Sequence, residues 1–464
     1  MSIINRWKND KLKAALEIFW LLTVFFCFFG SAVFLIKIPG IPALYPFRVL
    51  LPITALLYLI WAIREKRNPW KGASFIQRAS YVLCTILIVY GTLSLRLAID
   101  SSFTAPLWIT LCFDLVFFAL ALELCNDQRL FINTARCALV SFLIQIAFGM
   151  EEVLINDTIF THRYHNYNFA FLGKLYRAPV VAAGNTNDYV MGLVFTLALV
   201  LLYWVWQGRK GKYAWVPAVL FGPVYFLICS AGSRLCTISF WILMIGFIMY
   251  CLTQDRKKLW IPVVTVLLVG FVVYGCNSDP EAKRVSMTLP ESYGQTQNNL
   301  QDQTLKEEIF ATDGETGEVT LNVTFSGGVR VSLLLHTMDC FLQSKGMGVG
   351  LGNTAQLAKV DAAQRDGIWA IHCFIARMAA DFGIWFLIPL LVIAGAMLWF
   401  GLRFVLAEIK NRRWTNVMTG ILYMLTVIVF PIASTASGDA QNSLPMWLFL
   451  GYLAVYPRYL RDTE

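Results

Sequence analysis

Histidine is the side chain that titrates near neutrality and most often takes a proton from a hydroxyl, and the chain has only four of them: His162, His165, His336 and His372. His162 and His165, in Thr161-His-Arg-Tyr-His-Asn166, read first as surface-loop residues that could also touch a polar ligand. His336 stands at helical spacing from Ser332 and Cys340, a position that suits water, a packed interface or a functional role. His372 lies just ahead of a long apolar run, where a general base and a structural residue are equally in keeping with its surroundings. The second chemistry is anion binding. Arg234, in Ser230-Ala-Gly-Ser-Arg234, sits between two apolar runs on the side where basic residues are otherwise sparse. A planar guanidinium there can grip a phosphate with two parallel hydrogen bonds, or it can snorkel to lipid phosphate. Arg330 and Arg377 are further residues of that kind. Asn185, Asn187 and Asp188 crowd the start of another apolar run, where helix capping accounts for at least one of them. Asp114 lies inside an apolar run, as a functional acid or as a neutral, hydrogen-bonded one.

These residues must be positioned by membrane helices. The chain of 464 residues is 58% hydrophobic and 14% charged, a balance that leaves too little polar surface for a water-soluble fold. Apolar runs recur near residues 14–36, 44–63, 79–95, 106–122, 131–150, 188–206, 214–230, 236–253, 259–276, 382–402, 416–434 and 444–457. Each matches the roughly 20 residues that cross a bilayer core, so about twelve helices are expected. The runs are continuous rather than alternating, which excludes a membrane β-barrel. The first run follows Arg6, Lys8, Lys11 and Lys13, is too long for a signal peptide and precedes no small-residue cleavage site, so it reads as an uncleaved helix. Cysteines such as Cys27, Cys84, Cys112, Cys137 and Cys251 fall inside apolar runs as small apolar residues, with no C-x-x-C pair and no metal site built on them.

Basic residues orient the bundle. With the N-terminus inside, about 23 of the 38 lysines and arginines fall on cytoplasmic segments, including Arg64/Lys66/Arg67/Lys71/Arg78, Arg209/Lys210/Lys212, Arg256/Lys257/Lys258 and Arg403/Lys410/Arg412/Arg413. Both termini are then cytoplasmic. The net charge of +9 is a rim against anionic lipid and calls for no nucleic acid. Three parts follow: residues 1–276 with helices one to nine, a large extracytoplasmic loop at 277–381, and residues 382–464 with helices ten to twelve. In that loop a polar stretch (Gln295 to Gln303) leads to an expected β-hairpin turning at Asp313-Gly314 and Gly317 into Val319–Phe325. A helix from about Val329 to Gln343, a glycine-studded turn from Lys345 to Asn353 and a last helix leading into the tenth span complete it. The shorter outer segment, about 151–187, reads as a loop. No P-loop, His-Glu-x-x-His or G-x-S-x-G pattern occurs, and the glycine turn follows no strand of an α/β unit.

Four elements, in order, resemble the O-antigen ligase and polymerase superfamily of bacterial surface-polysaccharide assembly. Gly184-Asn-Thr-Asn-Asp188 resembles that family's asparagine-rich helix start, and Ser230-Ala-Gly-Ser-Arg234 its Ser-Arg signature. Arg330 followed by Gly346-x-Gly348-x-Gly350 resembles its arginine and glycine-rich turn. His372, nine residues before Asp381-Phe-Gly383, resembles its histidine-to-acid-x-Gly spacing. The likeness covers roughly residues 180–400. It departs where Cys373 replaces the family's asparagine and Asp381 its frequent glutamate, which bears on the contacts around the histidine.

The resemblance implies an all-α polytopic membrane protein of C-type glycosyltransferase-like fold. It would move a glycan from undecaprenyl diphosphate to a hydroxyl of an acceptor glycan or surface anchor, at the outer face of a bacterial inner membrane, with no metal and no cofactor. His372 would be the catalytic base, Arg234 and Arg330 the diphosphate clamps, and Asn185, Asn187, Asp381 and Arg377 supporting residues. Polymerase and ligase differ only in acceptor and are not separated. A twelve-helix transporter or flippase of a lipid-linked or polar solute is the second reading. A membrane scaffold using the outer loop is the third.

Overall fold

The computed structural model describes residues 10–30, 44–155, 168–183, 185–208, 216–254, 259–278, 310–312, 319–321, 325–363, 371, 373–437 and 442–461. They form helices α1 (Lys11–Phe26), α2 (Pro46–Arg64), α3 (Phe75–Ser94), α4 (Ser101–Leu124) and α5 (Gln128–Ile155), a hairpin β1 (Asn168–Phe171) and β2 (Lys174–Arg177), then α6 (Thr186–Gly208), α7 (Val216–Ser230), α8 (Arg234–Leu252) and α9 (Trp260–Asn277). A second hairpin, β3 (Phe310–Thr312) and β4 (Val319–Leu321), precedes α10 (Phe325–Gln343), α11 (Asn353–Ala363), α12 (Phe374–Phe382), α13 (Ile384–Lys410), α14 (Trp414–Ser434) and α15 (Leu444–Arg461).

Among the described residues nine helices are long and apolar enough to cross a membrane: α2, α3 with the turn after it, α4, α5, α6, α8, α9, α13 and α14. The protein is therefore a mostly helical, multi-pass membrane protein. Three of the expected twelve runs are not among the nine, namely α1, α7 and α15. The shortest, α7, is a 15-residue apolar helix. The first expected run is helical only to Phe26, and its end, 31–36, lies outside the described residues.

The bundle is arranged around α6, 89% of whose apolar window is buried, whereas α13 buries only 22% of its own. α6 is enclosed by α5, α7, α8, α14 and α15. Buried tyrosines tighten the packing: Tyr452 and Tyr459 of α15 lie 4.1 and 4.0 Å from the Phe131 ring of α5, and the Tyr456 hydroxyl donates to the Leu202 carbonyl of α6 at 3.0 Å. In lipid such a bond is strong, since no water competes for it.

One end of the bundle is ionic. Arg64 donates to Asp10 at 2.5 Å, Lys13 to Asp127 at 3.4 Å, and Arg67 stands 4.0 Å from Glu123 with its guanidinium 4.6 Å over the Trp61 ring. A capping box starts α3 there, with the Ser74 hydroxyl accepting the Gln77 N–H and the Gln77 side chain accepting the Ser74 N–H; the Gln77 amide then donates to Asn126 at 2.8 Å.

The opposite end carries the first hairpin and the short helices α11 and α12. β1 and β2 pair antiparallel through a two-residue turn, Leu172-Gly173, with both residues at positive φ, as the twist of a tight hairpin requires. The segment expected as a loop thus contains a hairpin. It is fastened by the Leu172 N–H to the Gly275 carbonyl at 2.9 Å and by the Phe171 ring, 5.0 Å from Phe226. The expected later hairpin is present as β3 and β4, shorter than Val319–Phe325, and its turn at 313–317 lies outside the described residues. α10 begins at Phe325 and runs through Gly327 and Gly328, ahead of the expected Val329. The last helix before the long α13 does not lead straight into it: α12 stops at Phe382, and Gly383, at φ +66°, breaks the two apart.

Candidate functional site

The glycine-rich turn and the Asp381-Phe382-Gly383 motif form one clasp. In the turn, Gly346, Gly348, Gly350 and Gly352 all take positive φ, so every second residue adopts a conformation costly to residues with a Cβ. That geometry lays the turn alongside the end of α12. Val349 N–H donates to the Ala380 carbonyl at 2.9 Å, Gly350 N–H to the Asp381 carbonyl at 2.9 Å, and Ile384 N–H to the Gly346 carbonyl at 2.8 Å. The contact is too close for side chains: a Cβ on Gly348 would stand 2.6 Å from the Asp381 carbonyl oxygen, and one on Gly383 would stand 2.3 Å from that of Gly346.

The Asp381 carboxyl, fully buried, closes the clasp. It accepts the Gly352 N–H at 3.0 Å and the Thr354 N–H at 3.2 Å, and so caps the start of α11 from a different helix. Burial pushes its pKa up. The Arg377 guanidinium one turn earlier, the Thr354 side chain and the two N–H groups pull the other way. α3 braces the other side of the turn: the Tyr90 hydroxyl donates to the Met347 carbonyl at 2.8 Å, and Ser94 Oγ accepts the Leu351 N–H at 3.3 Å. Asn353 spans the remaining gap, donating to the Leu97 carbonyl at 2.9 Å and accepting the Ile99 N–H at 3.1 Å.

A polar junction lies at the other end of α12. The Asn185 side chain accepts the Asp188 N–H at 2.9 Å and donates to the Asp188 carboxylate at 2.8 Å, so Asn185 caps α6 as the sequence suggested. The second oxygen of Asp188 accepts from the Ser437 hydroxyl, just past α14. Two residues earlier, the Thr435 hydroxyl donates to the Pro431 carbonyl at 2.8 Å and stands 3.6 Å from the Cys373 sulfur. The Asp188 carboxylate also lies within electrostatic reach of Cys236 in the first turn of α8. The starts of α6, α8 and α12 therefore meet at the end of α14.

Against the expected site residues, the placement is uneven. Asn185 and Asn187 are half-buried at the start of α6, Arg234 is exposed as the first residue of α8, and Arg377 and Asp381 are buried on α12. Arg330 lies near the start of α10, and its side chain is outside what the structure describes. His372, His162, His165 and Gly184 lie outside the described residues; Ile371 and Cys373, on either side of His372, are described. Asp114 is buried within α4. His336, half-buried on α10, packs its Nε2 3.2 Å from the Thr354 carbonyl and 3.5 Å from the Cys340 thiol, a contact that joins α10 to α11.

The chain is similar to the teichuronic acid biosynthesis protein TuaE of Bacillus subtilis (strain 168), at 20% identity over 448 residues, which span 94% of this chain and 83% of that one. No family model matches the chain. The length of the alignment carries the similarity through both the bundle and the segment that forms the clasp.

Tyr90, Ser94, Thr435 and Ser437 went unremarked in the sequence because a hydroxyl in or beside an apolar run reads first as one bonded to its own helix backbone. A signal was present for the last two: Ser434-Thr435-Ala436-Ser437 is a dense hydroxyl run at a helix end. Asn353, directly after the glycines and before a helical stretch, carried an ordinary N-cap signal.

Proposed function

We propose that the protein is a glycosyltransferase of surface-polysaccharide assembly, a polymerase or ligase. It takes a glycan from undecaprenyl diphosphate and joins it to an acceptor hydroxyl at the outer face of the bacterial cytoplasmic membrane. α1, α7 and α15 complete about twelve crossings in this reading, both termini are cytoplasmic, and residues 277–381 lie outside. The observation that carries it is the polar junction at which Cys373, the neighbour of His372, meets the Asn185–Asp188 helix start through Thr435 and Ser437. It links two of the four motifs that resemble the family, and the similarity to a polysaccharide-biosynthesis protein over nearly the whole chain agrees with it.

In this mechanism the His372 imidazole takes the proton of the acceptor hydroxyl as its oxygen bonds to the anomeric carbon of the donor sugar. The bond from that carbon to the diphosphate oxygen breaks, and undecaprenyl diphosphate departs with the electron pair. Diphosphate is already a good leaving group, so the protein's tasks are to position the acceptor, remove one proton and stabilise the departing charge. Arg234, exposed at the rim of the junction, and Arg330 hold the diphosphate. Asn185, Asn187, Arg377 and Asp381 support the elements that present these groups.

The test is purified protein with lipid-linked donor, no added metal or nucleotide, and chain growth read on a gel. His372→Ala should lose about 10²- to 10⁴-fold in rate, the usual range of positioned general-base catalysis, while still binding donor. Arg234→Lys should weaken donor binding, because a point charge cannot reproduce a bidentate fork. Full product from His372→Ala would remove the histidine from the chemistry. Movement of an unaltered lipid-linked solute across vesicles, with no new glycosidic bond, would replace the whole reading by a transporter.

A further inference from the structure

The circumference of α10 divides into three sectors. Leu333, Thr337 and Cys340 are buried against the rest of the protein; Leu333 clusters with Ala358 of α11 and Ile371. Asp339 and Gln343 are exposed and polar, with the half-buried His336 beside them. Leu334, Leu335, Met338 and Leu342 are also exposed, each by between 46% and 61%. At 3.6 residues per turn these four fall on a single arc of roughly 100°. A helix that touches only protein and water needs two sectors, so the third, large and wholly apolar, calls for a third medium.

What covers that sector follows from where the helix ends. Past α10 the exposed Met347 continues the apolar strip. The neighbouring Gly346 carbonyl accepts the Ile384 N–H at 2.8 Å, so the strip meets the first turns of α13. There Ile384, Trp385, Ile388 and Leu391 are exposed in turn, on a helix apolar enough to cross the bilayer and mostly unburied by protein. The lipid-facing surface of α13 and the apolar sector of α10 are thus continuous.

We propose that α10 is an interfacial membrane helix. Leu334, Leu335, Met338, Leu342 and Met347 rest among the acyl chains of the leaflet beside α13, with Asp339 and Gln343 turned to water, as an amphipathic helix lies in a bilayer surface. The inference requires no glycosyl transfer and stands whether or not that reading does. It makes part of the long segment between α9 and α13 a membrane-embedded wall instead of a water-borne loop, and it fixes α10, and Arg330 near its start, at headgroup depth.

The test is a lipid-soluble diazirine photoreagent applied to the full-length protein in phosphatidylcholine nanodiscs free of polyprenyl lipid, with adducts mapped by peptide mass spectrometry. Adducts on the Leu334–Met347 peptide at a level within about threefold of the Ile384–Leu391 peptide, with the Asn353–Ala363 peptide at least tenfold lower, are expected from the exposures above. Water-borne oxidation of Met338 and Met347 should be correspondingly slow in the same discs. Labelling of α13 without α10 would overturn the proposal. So would labelling of α10 that appears only when polyprenyl phosphate is added, which would make the occupant a substrate tail. Met338 protection that is lost on dilution to one protein per disc would overturn it too, in favour of a second copy.

Discussion

Replacing Asp381 removes the one carboxylate that ties α12 to the start of α11. With alanine, the buried Gly352 and Thr354 N–H groups lose their acceptor, at about 1–3 kcal/mol for each donor left unpaired. Arg377, one turn away, also loses the electrostatic attraction of that carboxyl. These losses overlap, so about 3–5 kcal/mol is expected for Asp381→Ala. Asparagine keeps one acceptor oxygen and turns an amide N–H toward a donor, so Asp381→Asn should fall near 2–3 kcal/mol, the worth of a hydrogen bond to a charged group. One kcal/mol moves a melting midpoint by about 2–4 °C in domains of 150–250 residues and by less in longer chains, so the alanine variant should melt roughly 5–10 °C lower. Fluorescence-detected gel filtration after heating in detergent measures this. Both variants melting within about 2 °C of the parent would refute the clasp as a stabilising unit, because a shift that small is about 1 kcal/mol, well short of the loss expected.

The glycines of the clasp give a sharper contrast. Gly348→Ala and Gly383→Ala should each destabilise by more than the 1–2 kcal/mol of a left-handed residue, since their Cβ atoms would also strike backbone. Gly270→Ala and Gly395→Ala, with open space around them, should gain about 0.5–1 kcal/mol as helix-interior replacements; equal melting of all four would contradict the geometry. Two carboxyls should respond to pH with opposite sign. The Arg64 side chain holds Asp10 below the usual carboxylate range, so its contribution is present above the unfolded value and is lost as pH falls through the depressed one. Burial raises Asp381, so its contribution is present below the unfolded value and is lost as pH rises through the raised one. Asp10→Asn should therefore flatten the acid limb of a stability profile, and Asp381→Asn should not. For topology, Thr312→Cys should react with an impermeant maleimide on intact cells and Arg412→Cys should not, once the native thiols are silenced; the reverse pattern would invert the bundle.

Much of the bundle was legible because a bilayer imposes its thickness on sequence: an apolar run of about 20 residues has few alternatives to a helix. The runs at α1, α7 and α15 were visible for the same reason, though α7 closes after 15 residues. The β1–β2 hairpin was not legible, because its turn is Leu172-Gly173 and not the Asn-Gly or Asp-Gly that marks such turns. Asp381 was named from motif spacing as a supporting residue; that its oxygens accept the N–H groups of Gly352 and Thr354 was not legible, because those partners lie 29 and 27 residues away. The spacing of the glycines was read as a turn, and the alternation of positive φ explains why every second residue is glycine. What sequence could not give was the pairing of Thr435 with Cys373 and of Ser437 with Asp188, since residues so distant along the chain are joined only by packing.

The enclosure of α6 also has a consequence for biogenesis. This helix is synthesised before α7, α8, α14 and α15, four of the five that surround it, so at the moment of its release from the ribosome much of its surface must face lipid or an insertion factor. Its apolar sequence suits that temporary exposure. The final environment is reached only when the last fifty residues arrive, roughly, with α14 and α15 sliding in as closing staves and Ser437 reaching Asp188 between them. A ribosome stalled before Trp414 would leave a chain that is inserted and correctly threaded yet open along one side, and quality control in the membrane would have α6, an apolar rod with a carboxylate at its head, as the mark of an unfinished molecule.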